Sequence, residues 1–443
     1  MKIIPFCGYR YNSSKIKSLG DVISPPYDQY KEGLDDLLYN RHPFNISRII
    51  MNKETPSDSE QDNRYARSKA ILEQWIAEKI FSQDEAPGFY PYFQNYLVGK
   101  EERCRKGLVA LGEVTDYSER IVLPHERTLS KPKQDRLNLL RATLADTGLV
   151  LMLYSDPTGE VESLLNQAAA NPPLVSALDL NQEVNQIWRI TESALMHKIQ
   201  ELMSRKTVII ADGHHRFEVA RMFREEIEPR LAQDPRWESY RYKLMSFVRL
   251  ESAGITIFPI HRLVHSLKDF NAVKLLECLR ESFVVEEYPF RPDNQVSTLD
   301  YLMTLSQKQQ HAGASAFVVY VPFLRRFLLL KLKACETERV QWPADKSEIW
   351  RKLDVSILQV MILGNLLGIT DLQLTDQSHL EYASHHEEAV ATVDKKGYQC
   401  AFLLNPTPVE MVKKVVETGD LLPQKSTHFH PKLMEGLVFA KHL

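Results

Sequence analysis

The hydrophobic and polar positions follow two alternating patterns along the chain. Short continuous apolar runs, rich in β-branched or aromatic residues, are typical of strands that are buried on both faces. These runs cover residues 107–111, 149–154, 207–211, 243–250, 255–260, 315–321 and 327–332. Because helical periodicities lie between them, the pattern predicts a mixed α/β (α+β) fold.

The helices have clearer boundaries than the strands. Large side chains recur at three- and four-residue spacing over residues 65–80, which predicts an amphipathic helix. The pattern over residues 354–367 predicts a second, buried helix. Thr407 and Pro408 begin a capping-box sequence, which predicts a third helix that ends at Gly419.

Composition limits the class of protein. The chain has 443 residues, 44% of them hydrophobic and 26% charged, as in ordinary globular proteins of two or three domains. Fifty-five Lys and Arg against 58 Asp and Glu give a net charge of −3, which disfavours a nucleic-acid or membrane partner. We expect an N-terminal region over 1–265, with its core at about 107–265, and a C-terminal α/β domain over 266–443. The sequence does not determine the oligomeric state.

The cellular compartment follows from the cysteines and the apolar runs. Five cysteines are scattered without any CxxC pair, so neither a disulfide framework nor a cysteine-rich zinc site is expected. Residues 1–15 lack the long hydrophobic region of a secretory signal. No apolar run approaches the roughly 20 residues that span a bilayer. The sequence therefore predicts a cytoplasmic protein.

The sharpest local signal lies at residues 206–220. An apolar run stops at Asp212 and Gly213, and an amphipathic helix follows, so the chain makes a strand, a tight turn and a helix. Free backbone N–H groups and the positive dipole end at such a helix start favour bound phosphate. His214, His215 and Arg216 add donors, and Arg can hold phosphate oxygens bidentately. This combination favours an anion site over a merely capped helix.

Asp212 admits several roles. Its carboxylate could cap the helix, hold Mg²⁺ beside phosphates or accept a proton. A transition-metal site built from Asp212, His214 and His215 is a rival interpretation, because all three are ligand types. Adjacent histidines at a helix start point in different directions, which weighs against it.

A second cluster of acid–base groups and positive charge lies at residues 121–141. Its candidates for phosphate or substrate contacts are His125, Glu126, Lys131, Lys133 and Arg136. Alone, this segment could equally be a solvated charged helix.

Two further segments carry weaker candidates. The Ser-Pro-Pro loop before Tyr27 and Asp28 is rigid, and the two side chains could line a substrate pocket. Near the C-terminus, Lys425 belongs to a donor-rich loop that could return to the site.

Several strings together resemble the bacterial and archaeal domain-of-unknown-function family 1015. They are PFCGYRYN, ISPPYD, LPHERT, KPKQDRLNLLRAT, ADGHHRFEVA, IFPIHRLV and PQKSTHFHPKL. The DGHHR segment also resembles the phosphate-binding turn of the ParB/sulfiredoxin superfamily, and within that superfamily the free serine kinases are most similar. The resemblance implies a ParB/sulfiredoxin-like mixed-sheet core that binds ATP or another nucleotide, with Mg²⁺.

The resemblance also implies residue roles. Glu126 would be the base that takes the proton from a substrate hydroxyl, while His214, His215 and Arg216 would hold nucleotide phosphates. Asp212 would assist at the metal or at the hydroxyl. The leading hypothesis is therefore an ATP-dependent small-molecule kinase in serine metabolism, with free L-serine as the first candidate acceptor. The alternatives are a nucleotide-binding ParB-like regulator without kinase activity and a metal-dependent hydrolase.

Overall fold

A computed structural model describes residues 1–128, 130–231, 234–334 and 336–442, without the side chains of residues 130–132 and 235. The chain divides into two compact units. The first unit comprises Met1–Thr256 and Pro431–Leu443, and the second comprises Ile257–His430. The sequence prediction placed the boundary at residue 265 and kept the C-terminal residues with the second domain.

The strands are short and numerous. In chain order they are β1 (Ile3–Ile4), β2 (Tyr9–Tyr11), β3 (Phe81–Gln83), β4 (Tyr90–Val98), β5 (Glu101–Glu113), β6 (Val122–Leu123), β7 (Ala145–Asp146), β8 (Val150–Tyr154), β9 (Val175–Leu178), β10 (Val184–Ile187), β11 (Val208–Asp212), β12 (Tyr242–Arg249), β13 (Thr256–Phe258), β14 (His261–Val264), β15 (Phe283–Pro289), β16 (Ala316–Val321), β17 (Arg326–Leu332), β18 (Leu380–Ala383), β19 (Cys400–Leu403), β20 (His428–His430) and β21 (Ala440–Lys441).

The helices lie mostly between these strands. They are α1 (Leu34–Arg41), α2 (Ser47–Ile50), α3 (Arg64–Ala77), α4 (Ser130–Thr143), α5 (Glu160–Ala168), α6 (Ser193–Ser204), α7 (His214–Leu231), α8 (Ala272–Ser282), α9 (Gln295–His311), α10 (Glu336–Arg339), α11 (Glu348–Arg351), α12 (Asp354–Ile357), α13 (Asp371–Asp376), α14 (His386–Lys396) and α15 (Val409–Glu417). A π-helix, Leu358–Leu366, directly continues α12. None of the described helices is both long enough and apolar enough to cross a bilayer.

The first unit is built on a mixed sheet of nine strands among the described residues. Its order is β6-β11-β8-β12-β5-β4-β10-β9, and β1 pairs with β5. Strands β6 and β11 run parallel, as do β8 and β12, whereas the other neighbours are antiparallel. All five side chains of β8 are buried, which explains its unbroken apolar sequence. The predicted mixed α/β fold class is confirmed.

Helices α4 and α7 pack against each other beside this sheet. Their contact is apolar, through Leu137 and Leu140 of α4 and Val219, Phe223 and Ile227 of α7. Burial of these side chains removes apolar surface from water at about 25 cal/mol per Å². The packing fixes the start of α7 relative to the sheet.

The second unit contains a six-stranded antiparallel sheet, in the order β15-β17-β16-β19-β14-β18. Its core includes the fully buried Val318, Phe327 and Leu403. Strands β13 and β20 form a separate two-stranded pair.

The sequence-based elements agree with the structure at the long apolar runs and differ at chain ends and polar strands. Each of the seven apolar runs overlaps a strand. The capping box at Thr407 was wrong, because Pro408 is the N-cap residue and no side chain caps α15. The hydroxyl of Thr407 instead donates to the carbonyl of Ser426 at 3.4 Å. Strands β9 and β10 carry no continuous apolar run, because polar residues interrupt both of them, and they were missed.

Candidate functional site

The DGHHR segment forms the expected strand, turn and helix. Asp212 is the last residue of β11, Gly213 has a φ of +90°, and α7 begins at His214. A left-handed φ is readily adopted only by glycine. The pairing of β11 with β8 shifts register between Ile210 and Asp212, which marks a bulge at the strand end. Bulge and turn together redirect the chain into the helix.

The Asp212 carboxylate is engaged on both oxygens. The backbone N–H of Gly213 donates to Oδ1 at 2.8 Å, and Nζ of Lys432 donates to Oδ2 at 3.1 Å. Burial alone would raise the pKa of Asp212, but the charges of Lys432 and Arg216 outweigh burial and lower that pKa well below its usual value. Asp212 is therefore an ionised carboxylate with a lysine as its counter-ion.

Strand register brings the second cluster to the same turn. Strand β6 pairs parallel with β11, so residues 124–126 run beside the end of β11. Nδ1 of His125 lies 2.5 Å from the carbonyl of Ile210 and donates to it. Nε2 of the same ring lies 3.7 Å from Oε1 of Glu126. The sheet thus unites two segments that are far apart in sequence.

His214 joins the two segments. The backbone N–H of His125 donates to Nε2 of His214 at 3.2 Å, and the two rings meet edge to face at 4.5 Å. A ring nitrogen that accepts a hydrogen bond carries no proton. Burial, reinforced by His125, lowers the pKa of His214 to about 3. His214 is therefore a neutral ring that fixes the turn, while His215 on the next position is half-buried.

Arg216 is the buried cation of the turn. Its side chain is 7% exposed, and no described residue lies within hydrogen-bonding reach of Nε or Nη1. The nearest carboxylate oxygen, Oε1 of Glu435, lies 3.7 Å from Nη1, which is longer than a hydrogen bond. Burial would lower the pKa of Arg216, but Asp28, Asp212 and Glu435 raise it. The guanidinium is charged, and two of its nitrogens lack an acceptor in the part of the chain that the structure describes.

Two glycines leave room for this guanidinium. A Cβ on Gly213 would lie 3.0 Å from Nε of Arg216, and a Cβ on Gly148 would lie 3.1 Å from its Cδ and 2.9 Å from Oε1 of Glu435. Larger residues at either position would push the Arg216 side chain aside.

A small cavity of about 50 Å³ adjoins Arg216. This volume holds a few water-sized groups. Its lining combines cations and carboxylates with apolar side chains and consists of Tyr27, Arg136, Leu139, Leu140, Ala145, Asp146, Thr147, Gly148, Arg216, Val219, Lys243 and Glu435. Burial raises the pKa of Glu435, against the opposing charge of Arg216.

Two further candidates from the sequence, Tyr27 and Arg136, line this cavity with Arg216. The guanidinium of Arg136 stacks over the ring of Tyr27 at 4.4 Å, and its Nη1 donates to the carbonyl of Ile50 at 2.7 Å. Burial, with the charge of Asp28, raises the pKa of Tyr27 to about 12. Asp28 itself is exposed. Part of the Arg136 guanidinium is therefore used in contacts within the fold.

The three lysine candidates from the sequence are not among the residues that line the cavity. Lys133 is half-buried on α4, and the side chain of Lys131 lies outside the described residues. Lys425 belongs to the second unit, whereas the lysine of the same C-terminal string that contacts Asp212 is Lys432.

Two of the candidate metal ligands at the turn already have internal hydrogen-bond partners. Both Asp212 oxygens accept internal hydrogen bonds, and Nε2 of His214 accepts one from His125. Within the described part of the chain, the three side chains with ligand atoms close enough to share an ion are Asp300, His386 and Glu387, at the surface of the second unit. Asp212, His214 and His215 are not part of this group.

Comparison with known proteins identifies the family. The model of the family described as "Protein of unknown function (DUF1015)" matches residues 3–356. The chain belongs to this family. The resemblance seen in the sequence is confirmed, and no curated protein matches the chain.

Solved structures show only a distant likeness. A conserved hypothetical protein from Pyrococcus furiosus is 11% identical, with a TM-score of 0.35 over 72% of this chain and 90% of that one. A free serine kinase in complex with AMP is 13% identical, with a TM-score of 0.35 over 72% and 86%. C-terminally truncated SbnI from Staphylococcus aureus is 10% identical, with a TM-score of 0.34 over 74% and 85%. These values are too low to assign an activity.

Sequence reasoning missed three residues of the site. Lys432 and Glu435 come from the C-terminal segment, and Gly148 precedes β8. The string that contains Lys432 was noticed, but no spacing rule distinguishes it from Lys425. Only the long-range contacts of residues 431–435 with the sheet and with Ser24 reveal the position of Lys432 and Glu435.

Proposed function

We propose that the protein is an ATP-dependent kinase that transfers a phosphoryl group to the hydroxyl of a small molecule, with free L-serine as the first acceptor to test. The observation that carries the proposal is the buried Arg216, whose Nε and Nη1 have no described acceptor. An unpaired buried donor costs about 1–3 kcal/mol, so an anionic ligand that satisfies it is strongly favoured. A phosphate chain at the start of α7 supplies such oxygens.

The neighbouring acid–base groups suit phosphoryl transfer. This reaction needs positioned cations and an oriented hydroxyl more than covalent chemistry from the protein. Glu126 lies beside His125, and its charge acts on the His214 ring together with that of Asp212. In the proposal, Glu126 accepts the proton of the acceptor hydroxyl, while Arg216 and the helix amides hold the phosphoryl oxygens.

Magnesium belongs to this proposal only as the counter-ion of the nucleotide substrate. The ammonium of Lys432 already balances the charge of Asp212, so the proposal places no resident ion there. Nucleotide binding without transfer, as in the ParB-like alternative, is the second candidate, because the same unpaired Arg216 would serve it equally.

Turnover separates the two candidates. Purified protein is incubated with Mg-ATP or Mg-ADP and L-serine, then with other hydroxylated amino acids and polyols, and phosphorylated product is measured by mass spectrometry. We expect phosphoserine, a fall of about 100-fold or more in the Glu126→Gln variant, and nucleotide binding retained in that variant. The matched control is Glu102→Gln, at an exposed carboxylate on β5.

The outcomes are distinct. Nucleotide binding that is lost in Arg216→Met, with no turnover on any acceptor, supports the ParB-like alternative. Turnover that is unchanged in Glu126→Gln removes Glu126 from the mechanism. Retention of nucleotide affinity in Arg216→Met contradicts the proposed site.

A further inference from the structure

The C-terminal segment 431–435 is fastened across the sheet of the first unit. The carbonyl of Lys432 accepts a hydrogen bond from Nε2 of Gln94 at 2.9 Å, and the N–H of Met434 donates to the hydroxyl of Tyr92 at 3.3 Å. Glu435 and Ser24 exchange two backbone hydrogen bonds, of 2.8 and 3.1 Å. Lys432 is thus positioned by its backbone, independently of what its ammonium contacts.

The Lys432 side chain reaches the anion turn. Its exposed fraction is only 16%, and Nζ lies 3.1 Å from Oδ2 of Asp212. An ammonium has three donors, and the contact with Asp212 uses one of them. The ammonium therefore lies next to the Gly213 turn with donor capacity left for a ligand.

Lys432 offsets the negative charge of Asp212 at the turn. An ionised Asp212 would repel a phosphate chain, and at 4 Å the interaction of two unit charges reaches about 4 kcal/mol near a protein surface. Arg105, which is buried and bonded to Oε1 of Gln94, acts on Asp212 from within the sheet. Lys432 is the cation in direct contact with Asp212, and it cancels that charge on the side of the turn.

A second lysine–aspartate pair in the same unit provides a contrast. Nζ of Lys206 lies 2.9 Å from Oδ1 of Asp156, with an exposed fraction of 18% for the lysine side chain. Asp156 also accepts the N–H of Val161 at 3.1 Å, so this pair ties α5 to the segment before β11. It lies at the opposite end of β11 from the Gly213 turn.

We propose that Lys432 is a phosphate-binding residue of the turn, which donates to the same anionic ligand as Arg216 and the amides at the start of α7. The ligand class is a diphosphate or triphosphate chain. This inference rests on the proposed nucleotide site. Lys432 itself lies outside residues 3–356, which the family model matches. The C-terminal segment thereby completes a site whose other parts come from β11 and α7.

Calorimetric titration with ADP and with inorganic pyrophosphate tests this role without any turnover. A hydrogen bond to a charged group contributes about 1.5–3 kcal/mol, so Lys432→Met should weaken both ligands by about 10- to 100-fold. Lys432→Arg should restore most of the affinity. The affinity should also depend less steeply on salt in Lys432→Met, because one ion pair is lost.

Lys206→Met is the matched control, since it breaks an ion pair of similar burial without touching the turn. It should leave both affinities at the wild-type value, and thermal unfolding of each variant separates loss of fold from loss of binding. If Lys432→Met does not fold, Lys432→Gln and Lys432→Arg decide the question. If folded Lys432→Met or Lys432→Gln binds within twofold of wild type, the role of Lys432 is wrong and the proposed function is unaffected. A wild-type protein that binds neither ligand overturns the proposed function as well.

Discussion

Two buried charge clusters of the first unit border the same cavity and differ in how completely they are paired. In one, Asp146 receives Nζ of Lys243, the N–H of Leu244 at 3.0 Å and a contact of 3.6 Å from Nε2 of His442. In the other, Arg216 keeps two nitrogens without a described acceptor, and its closest carboxylate is 3.7 Å away.

The difference separates stability from binding. A buried ion pair with additional hydrogen bonds compensates its own desolvation and orders the chain around it. A buried cation with unpaired donors retains part of its desolvation cost, which a ligand can recover. We therefore expect the Asp146 cluster to hold the fold together and the Arg216 cluster to hold a ligand.

The largest expected effect comes from breaking the Asp146 cluster. Lys243→Met leaves the buried Asp146 carboxylate without its ammonium and should lower the free energy of unfolding by about 3–5 kcal/mol. Denaturant unfolding of both proteins measures this difference. Burial alone raises the pKa of Asp146, but Lys243 and His442 together lower it well below its usual value, as a strongly paired carboxylate requires. A loss below about 1 kcal/mol would remove the distinction between the clusters.

His214, in the same turn as Arg216, should make the stability of the fold depend on pH. The pKa of His214 is about 3 in the fold against about 6.5 in an unfolded chain, so the unfolded state binds the proton more tightly. The contribution of His214 is complete above pH 6.5 and is lost as the pH falls from there towards 3. Between pH 8 and pH 5 this loss is about 2 kcal/mol.

The His214→Gln variant isolates this contribution, because an amide does not titrate and its oxygen can still accept the N–H of His125. The wild-type advantage over the variant should shrink by the same amount between pH 8 and pH 5. His261 of the second unit also has a pKa lowered to about 3 by burial, but it is present in both proteins and cancels. Parallel stability profiles would mean that His214 is not held neutral.

The smallest expected effect is the difference in stability between two glycine variants, one of them at the turn itself. Gly213→Ala introduces a side chain at a φ of +90° and 3.0 Å from Nε of Arg216. Gly397→Ala is the control, with a φ of +66° and open space around the new Cβ. The control should lose about 1–2 kcal/mol of unfolding free energy from backbone strain, whereas Gly213→Ala should lose slightly more and also lose ADP affinity. Equal ADP affinity in wild type and Gly213→Ala would place the ligand away from Arg216.

Much of the fold could be predicted because local patterns encode it. The apolar run 207–211 and the amphipathic spacing after Gly213 appear as β11 and α7. Strand β4 was missed because its sequence mixes Pro91, Gln94 and Asn95 with aromatic residues, and its polar side chains are paired within the sheet. Local patterns do not show pairing of this kind.

For the candidate site, the sequence by itself determined the strand, turn and helix at Asp212, the donors that follow it and the family of the chain. Chemical type and spacing are local properties, so they are visible in one segment. The tertiary structure alone decided that His125 lies beside Ile210, that Lys432 rather than Lys425 meets Asp212, and that Nε and Nη1 of Arg216 have no acceptor among the described residues. These facts depend on the parallel register of β6 with β11 and on the return of residues 431–435, which are contacts between distant parts of the chain. Whether a buried charge stabilises the fold or awaits a ligand is decided by such contacts, because they determine which of its donors find an acceptor.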